Sequence, residues 1–189
     1  MILISELPEG DAKILKTIHK RGTAKVGDLV QIFGEPYTVQ DLSTYLSWLE
    51  KRHLLERTQN DPPTYKVSGP GLIALGLLPK EANSVFLSVP SEKCFRFYTG
   101  MGSDKFTGTL VCSLSDLYEK LKTIDVRALE FHVPRGDVEK WVRDVLLDDD
   151  LGQRICQVKQ QNLRGNQLRN QMLSVINLRI RELTTVKSE

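Results

Sequence analysis

The stretch YLSWLEKRHLLERTQNDPPTYKVSGPG, residues Tyr45 to Gly71, passes from a helical repeat into two strand-like runs and then stops at glycine and proline. LLERT and TYKVS are the strand-like runs. QNDPP between them supplies residues that favour turns, and its prolines cannot sit in a central strand, so the spacing predicts a hairpin. Upstream, Val39, Leu42, Leu46 and Leu49 recur at i, i+3, i+7 and i+10 behind Thr38, a candidate cap. That repeat places one apolar stripe on a helix ending near Lys51.

Two further helices precede this one. DAKILKTIHKRG sets Ile14, Leu15 and Ile18 on one face, with Asp11 as a possible cap and Gly22 as a stop; AKVGDLVQIFG repeats the pattern with Val26, Leu29, Val30 and Phe33 and ends at Gly34. GPGLIALGLLP follows the hairpin as a short apolar helix. The order of helices and hairpin over residues 1–80 resembles a winged helix-turn-helix, and Leu46 to Leu55 resembles the end of the recognition helix in MarR-like and ArsR-like regulators. Such a helix commonly ends on glycine in a left-handed conformation; here that position is His53.

The resemblance implies nucleic-acid contact through the outward face of the third helix. That face presents Gln40, Asp41, Ser43, Thr44, Ser47 and Lys51, and basic residues stand at its edges: Lys51 and Arg52 at the helix end, Arg57 and Lys66 on the wing. Arginine and lysine at such edges neutralise phosphates and fix position, whereas base edges are read by hydrogen-bonding side chains. A module for protein contact or dimerisation is the competing reading. Trp48 lies beside the buried stripe and reads as core edge rather than as a stacking platform.

Residues 81–92 read as a linker, either plain or with one short strand, VFLSV. The second unit spans 93–189. KCFRFYT and FTGTLVC alternate as strands and pair across GMGSDK; Gly100, Gly102 and Gly108 do not make a phosphate loop, because the sixth position of a GxGxxG is Lys105 and no GK[ST] is present. SLSDLYEKLKTI and RGDVEKWVRDVLLDDD are amphipathic helices, the second expected to start at an Asp137 cap after a break at Pro134. The run Asp148 to Asp150 reads as a helix start that complements the dipole rather than as a calcium loop, which needs spaced ligands and a central glycine.

LEFHVPRGDVEKW gathers Glu130, His132, Arg135, Asp137, Glu139 and Trp141. A histidine between carboxylates has the makings of a general base, yet no nucleophile or metal-ligand spacing accompanies it. The competing reading is a hydrogen-bonded core histidine, with Arg135 paired to a nearby carboxylate. This stretch, with FRFYTG and TGTLVCSLSDLYEKL, resembles an uncharacterised domain of archaeal proteins in which a His, an Arg-Gly-Asp step and a Trp recur; that family implies no activity.

The last helix, GNQLRNQMLSVINLRIREL, carries a broad apolar face of Leu168, Met172, Val175, Ile176, Ile180 and Leu183, with Arg164, Arg169, Arg179 and Arg181 on the remaining surface. Met172, Ile176, Ile180 and Leu183 are the expected shared edge of a homodimer, and the arginines an expected nucleic-acid contact. Charge supports that bias: the chain is +2 overall, and residues 157–189 hold six basic residues against two acidic ones. Cys94, Cys112 and Cys156 are odd in number and without a CxxC pair, so buried thiols in a cytoplasmic protein are expected, with no metal and no cofactor. No apolar run reaches the roughly 18 residues of a membrane span.

The sequence therefore predicts an α+β, mainly helical chain: a winged helix-turn-helix, then a small β-hairpin plus helices. Its expected function is that of a dimeric transcription regulator bound to duplex DNA. An RNA- or ribosome-associated factor is the alternative, using the first unit for protein contacts and the terminal arginines for rRNA. An enzyme centred on His132 is a third.

Overall fold

The computed structural model describes residues 7–186 and is α+β and mainly helical. The described chain divides into two compact units, residues 7–80 with 186 and residues 81–185.

In the first unit α1 (Glu9–Arg21), α2 (Val26–Phe33) and α3 (Val39–Lys51) surround a core of Ile14, Leu15, Ile18, Leu29, Leu42, Leu46 and Leu49. β1 (Ala24–Lys25), β2 (Leu55–Arg57) and β3 (Thr64–Val67) form one antiparallel sheet in the order β1-β3-β2, which closes the core with Leu55 and Tyr65. Thr38 caps α3 reciprocally, accepting from the Asp41 N–H at 3.1 Å while Asp41 accepts from the Thr38 N–H at 3.0 Å. The chain leaves α3 through His53 at φ 59°, a left-handed conformation that frees Leu54 to bond back to Leu49. Next, α4 (Gly69–Ala74) starts at Ser68, whose hydroxyl accepts from the Gly71 N–H at 3.0 Å.

Asp11 is not the cap of α1. The helix begins two residues earlier, and Asp11 is buried in its first turn, where it accepts from the Tyr45 hydroxyl and from Arg52 Nη1 at 2.8 Å. One carboxylate thereby ties α1 to α3.

Residues 81–92 are not a linker. Ala82 and Val85 are buried, α5 (Asn83–Phe86) replaces the expected strand, Ser115 donates to the Val85 carbonyl at 2.8 Å, and the Val89 N–H donates to Cys112 at 2.7 Å. This segment is packed into the second unit. There β4 (Phe95–Tyr98) and β5 (Phe106–Val111) form an antiparallel hairpin, followed by α6 (Leu114–Leu121), α7 (Val126–Arg135), α8 (Asp137–Asp144), α9 (Asp149–Gln160) and α10 (Gly165–Thr184). Pro134 does not break the preceding segment; it lies in the last turn of α7, near enough to the end that one missing backbone donor is tolerated.

Two of the three cysteines form a disulfide, which corrects the expectation of three thiols. Phe95 pairs with Val111, so Cys94 and Cys112 stand opposite each other one step further, with Cα atoms 4.4 Å apart. That separation is typical of the close, non-hydrogen-bonded pair of an antiparallel ladder. Cys156 is unpaired.

Nor is the apolar face of α10 an open dimer edge. Met172, Ile176 and Leu183 are buried against their own unit, where α10 packs on α6, α7 and α9, and only Ile180 of the expected four is half-exposed. No described helix is long and apolar enough to cross a membrane.

Candidate functional site

The outward face of α3 follows from its inward one. With Leu42, Leu46 and Leu49 buried, Gln40, Thr44 and Lys51 are exposed, and Ser43 and Ser47 are half-buried at the flank. The hydroxyls are oriented. Thr44 donates to the Gln40 carbonyl and Ser47 to the Ser43 carbonyl, each at 2.9 Å, so as bonded the two hydroxyls have acceptor lone pairs left to offer. The Asp41 carboxylate is held below the usual range by its bonds from the Thr38 side chain and backbone, both to Oδ2.

Arg52 does not belong to this face. Its guanidinium bonds buried Asp11 and lies over the Trp48 ring at 4.4 Å, so it fastens α3 to α1. Trp48 is 44 % exposed and stacks on Tyr45 at 5.6 Å; it is therefore the outer layer of this clamp rather than the core edge expected. Burial first, and then the bond to Asp11, push the Tyr45 phenol up to about 12. On the hairpin, Lys66 pairs with Glu56 at 2.8 Å, both half in solvent, while exposed Arg57 makes no ion pair among the described residues. A surface pair of that kind is readily exchanged for another anion.

His132 is placed by three elements of the second unit. Its Nε2 accepts from the Tyr98 N–H at 2.9 Å, which leaves the proton on Nδ1, and Nδ1 donates to Asp137 at 2.8 Å. Phe95, Phe97 and Phe131 surround the ring, which is 5 % exposed. Burial, reinforced by the Arg135 charge, holds the imidazole below its ordinary value despite the opposing pull of Asp137. Both nitrogens are thus occupied in a neutral ring, an arrangement that joins β4 to α7 and α8 and leaves no lone pair for proton abstraction.

Asp137 is the first residue of α8 and makes no cap bond; its carboxylate instead takes His132 and Arg135, the latter at 3.0 Å. Burial raises the Asp137 carboxyl, and the bonds from His132 and Arg135 outweigh it, so the net position is low. Trp141 donates its indole N–H to the Lys93 carbonyl at 2.8 Å. Glu130 accepts from the Gly165 N–H at the start of α10, and Glu139 pairs with Lys159. Each polar residue of this motif therefore has an internal partner or, for Arg135, an internal anion.

The terminal arginines divide. Arg179 is bound by Asp148 at 2.9 Å and Asp150 at 3.0 Å, and Arg169 donates to the Ile124 carbonyl, so both brace the unit from within. Arg164 and Arg181 are exposed. Asp148 also caps α9 through the Leu151 N–H at 3.0 Å.

A cleft of about 560 Å³ runs beside β5, lined by Thr99, Thr107, Thr109, Lys105 and Lys120 among others. Its polar groups are largely engaged: Thr107 with the Phe97 carbonyl, Thr99 with the Lys105 carbonyl, Lys105 with Asp104, and Lys120 with Asp116 and the Leu110 carbonyl. No cluster of metal-ligating side chains occurs among the described residues. Comparison with known proteins finds no matching family, no similar curated protein and no similar solved structure.

Proposed function

We propose that residues 1–80 are a winged helix-turn-helix that binds duplex DNA, with α3 as the recognition helix and the β2–β3 hairpin as the wing. The observation that carries this reading is the polar stripe of α3, Gln40, Thr44 and Lys51 exposed with Ser47 at the flank, in a helix followed at once by a hairpin bearing Arg57 and Lys66. The sheet order β1-β3-β2, with β1 between the first two helices, supports it. A helix of this diameter fits the major groove, and a basic hairpin beside it reaches phosphates. Regulation of transcription is the role such binding serves.

The phosphate contribution is small. Lys51, Arg57 and Lys66 are the available cations of this surface, because Arg52 is held by Asp11. A reading through rRNA loses ground with Arg169 and Arg179 turned inward.

Fluorescence anisotropy of labelled duplexes over a range of salt tests the proposal. Binding should weaken with salt at a slope no steeper than about three phosphate contacts, and replacing Lys51, Arg57 and Lys66 together by Ala should flatten it. Absence of duplex binding, or a slope untouched by the triple replacement, would overturn the reading.

A further inference from the structure

Resting on that reading, we infer that α3 selects A·T base pairs in the major groove, with Gln40 reading adenine and the Thr44 methyl group reading thymine. The inference starts from what the stripe lacks. Guanine is read chiefly by Arg or Lys donating to O6 and N7, and cytosine by a carboxylate accepting from N4. Arg52 is bonded to Asp11 and covered by Trp48, so it is not presented to a groove, and the Asp41 carboxylate is drawn onto the cap by two bonds from Thr38 to its Oδ2. Lys51 stands at the last residue of α3, whereas base edges are met by the N-terminal part of a recognition helix; Lys51 is placed for phosphate.

What remains is Gln40, Thr44 and Ser47. A glutamine amide offers one donor and one acceptor side by side, which matches adenine N7 and N6. The Thr44 and Ser47 hydroxyls are bonded to the carbonyls of Gln40 and Ser43, so as bonded these side chains are set to accept from an exocyclic amino group rather than to donate to guanine O6 or thymine O4. Thr44 is exposed and its hydroxyl is held by the Gln40 carbonyl, which leaves its methyl group for apolar contact, and among the four bases only thymine presents a methyl group in this groove. Gln40 and Thr44 are four residues apart, a rise of about 6 Å, or roughly two base-pair steps. A short A·T-rich core is the chemistry that fits.

The test uses the full chain and a duplex library with a randomised central segment, followed by anisotropy on the enriched duplex and on single base-pair replacements. An A·T-rich core should be enriched, and a G·C pair at the adenine position should weaken binding about tenfold, a loss that Gln40→Ala abolishes. Thr44→Ser should lose the preference for thymine, while Thr44→Val, which keeps the methyl group, should retain it. Melting curves establish that these exposed replacements leave the fold intact. Enrichment of a G·C-rich core, or a preference unchanged by Gln40→Ala and Thr44→Ser, would overturn the inference while leaving duplex binding and its dependence on Lys51 and Arg57 in place. No enrichment and no duplex binding at all would overturn the winged-helix reading along with it.

Discussion

Asp148→Ala removes a carboxylate that serves two elements at once. Asp148 is 1 % exposed, caps α9 at the Leu151 N–H and receives the Arg179 guanidinium, itself only 15 % exposed, at 2.9 Å. Loss of an N-cap costs about 1 kcal/mol. Breaking a buried ion pair from one side costs about 3–5 kcal/mol when the remaining charge is isolated. Arg179 is not isolated, since Asp150 at 3.0 Å and Glu182 at 3.4 Å remain, so roughly half of that applies. The expected loss is about 2–4 kcal/mol, confined to the second unit. For a unit of about 100 residues that corresponds to a fall in Tm on the order of 10–25 °C. Asp148→Asn keeps a competent cap and removes only the charge, so it should recover about 1 kcal/mol of the loss. Urea unfolding followed by circular dichroism, fitted with one transition per unit, measures both variants. A loss below about 0.5 kcal/mol in Asp148→Ala would refute the idea that this carboxylate braces α9 and α10.

The His132 imidazole is held below its ordinary value of 6.5 in the folded chain, so the unfolded state takes up the proton first; stability of the second unit should be full above about pH 6.5 and fall as pH drops below it. His132→Gln should flatten that part of the profile, as followed by thermal melts across pH. Arg52→Ala should lower the stability of the first unit while leaving the salt slope of duplex binding nearly unchanged, because it strands buried Asp11 rather than a phosphate. Gly71→Ala should unfold or strongly destabilise that unit, since a Cβ there would overlap the Leu54 carbonyl oxygen and the Val67 side chain; its melting curve decides this. Cys94 and Cys112 close a loop with a sequence separation of 18, so reduction by a dithiol should cost the second unit about 3 kcal/mol, read as a lowered urea midpoint with the first unit unchanged.

The helices were legible because burial repeats with the helical period: Leu42, Leu46 and Leu49, or Leu114, Leu117 and Leu121, mark their own inward faces. Two-residue β1 carries no such signal and emerges only through its pairing with β3. The function of individual arginines was the least legible feature. Whether Arg52 meets solvent or Asp11, 41 positions away, depends on how α1 crosses α3, and the same holds for Arg179 and Asp148. The disulfide had a readable trace, since the expected strands KCFRFYT and FTGTLVC carry Cys94 near the start of the hairpin and Cys112 at its end. Counting cysteines without placing them on paired strands concealed it. For the candidate face of α3, sequence periodicity located the residues, and only the coordinates revealed which way the Thr44 and Ser47 hydroxyls turn.

Because α10 closes the second unit by packing on α6, α7 and α9, the two units become foldable at different moments of synthesis. The first has all of its helices and its sheet once residue 74 has left the ribosome, whereas the second waits for a helix that ends at Thr184. At about 5–20 residues per second, that interval lasts on the order of 5–20 s. From the emergence of α6 until α10 follows, α6 lacks one of the elements it packs on, so the nascent chain presents an apolar face that a ribosome-bound chaperone can shelter. The second unit is therefore the one whose yield depends on the pace of translation.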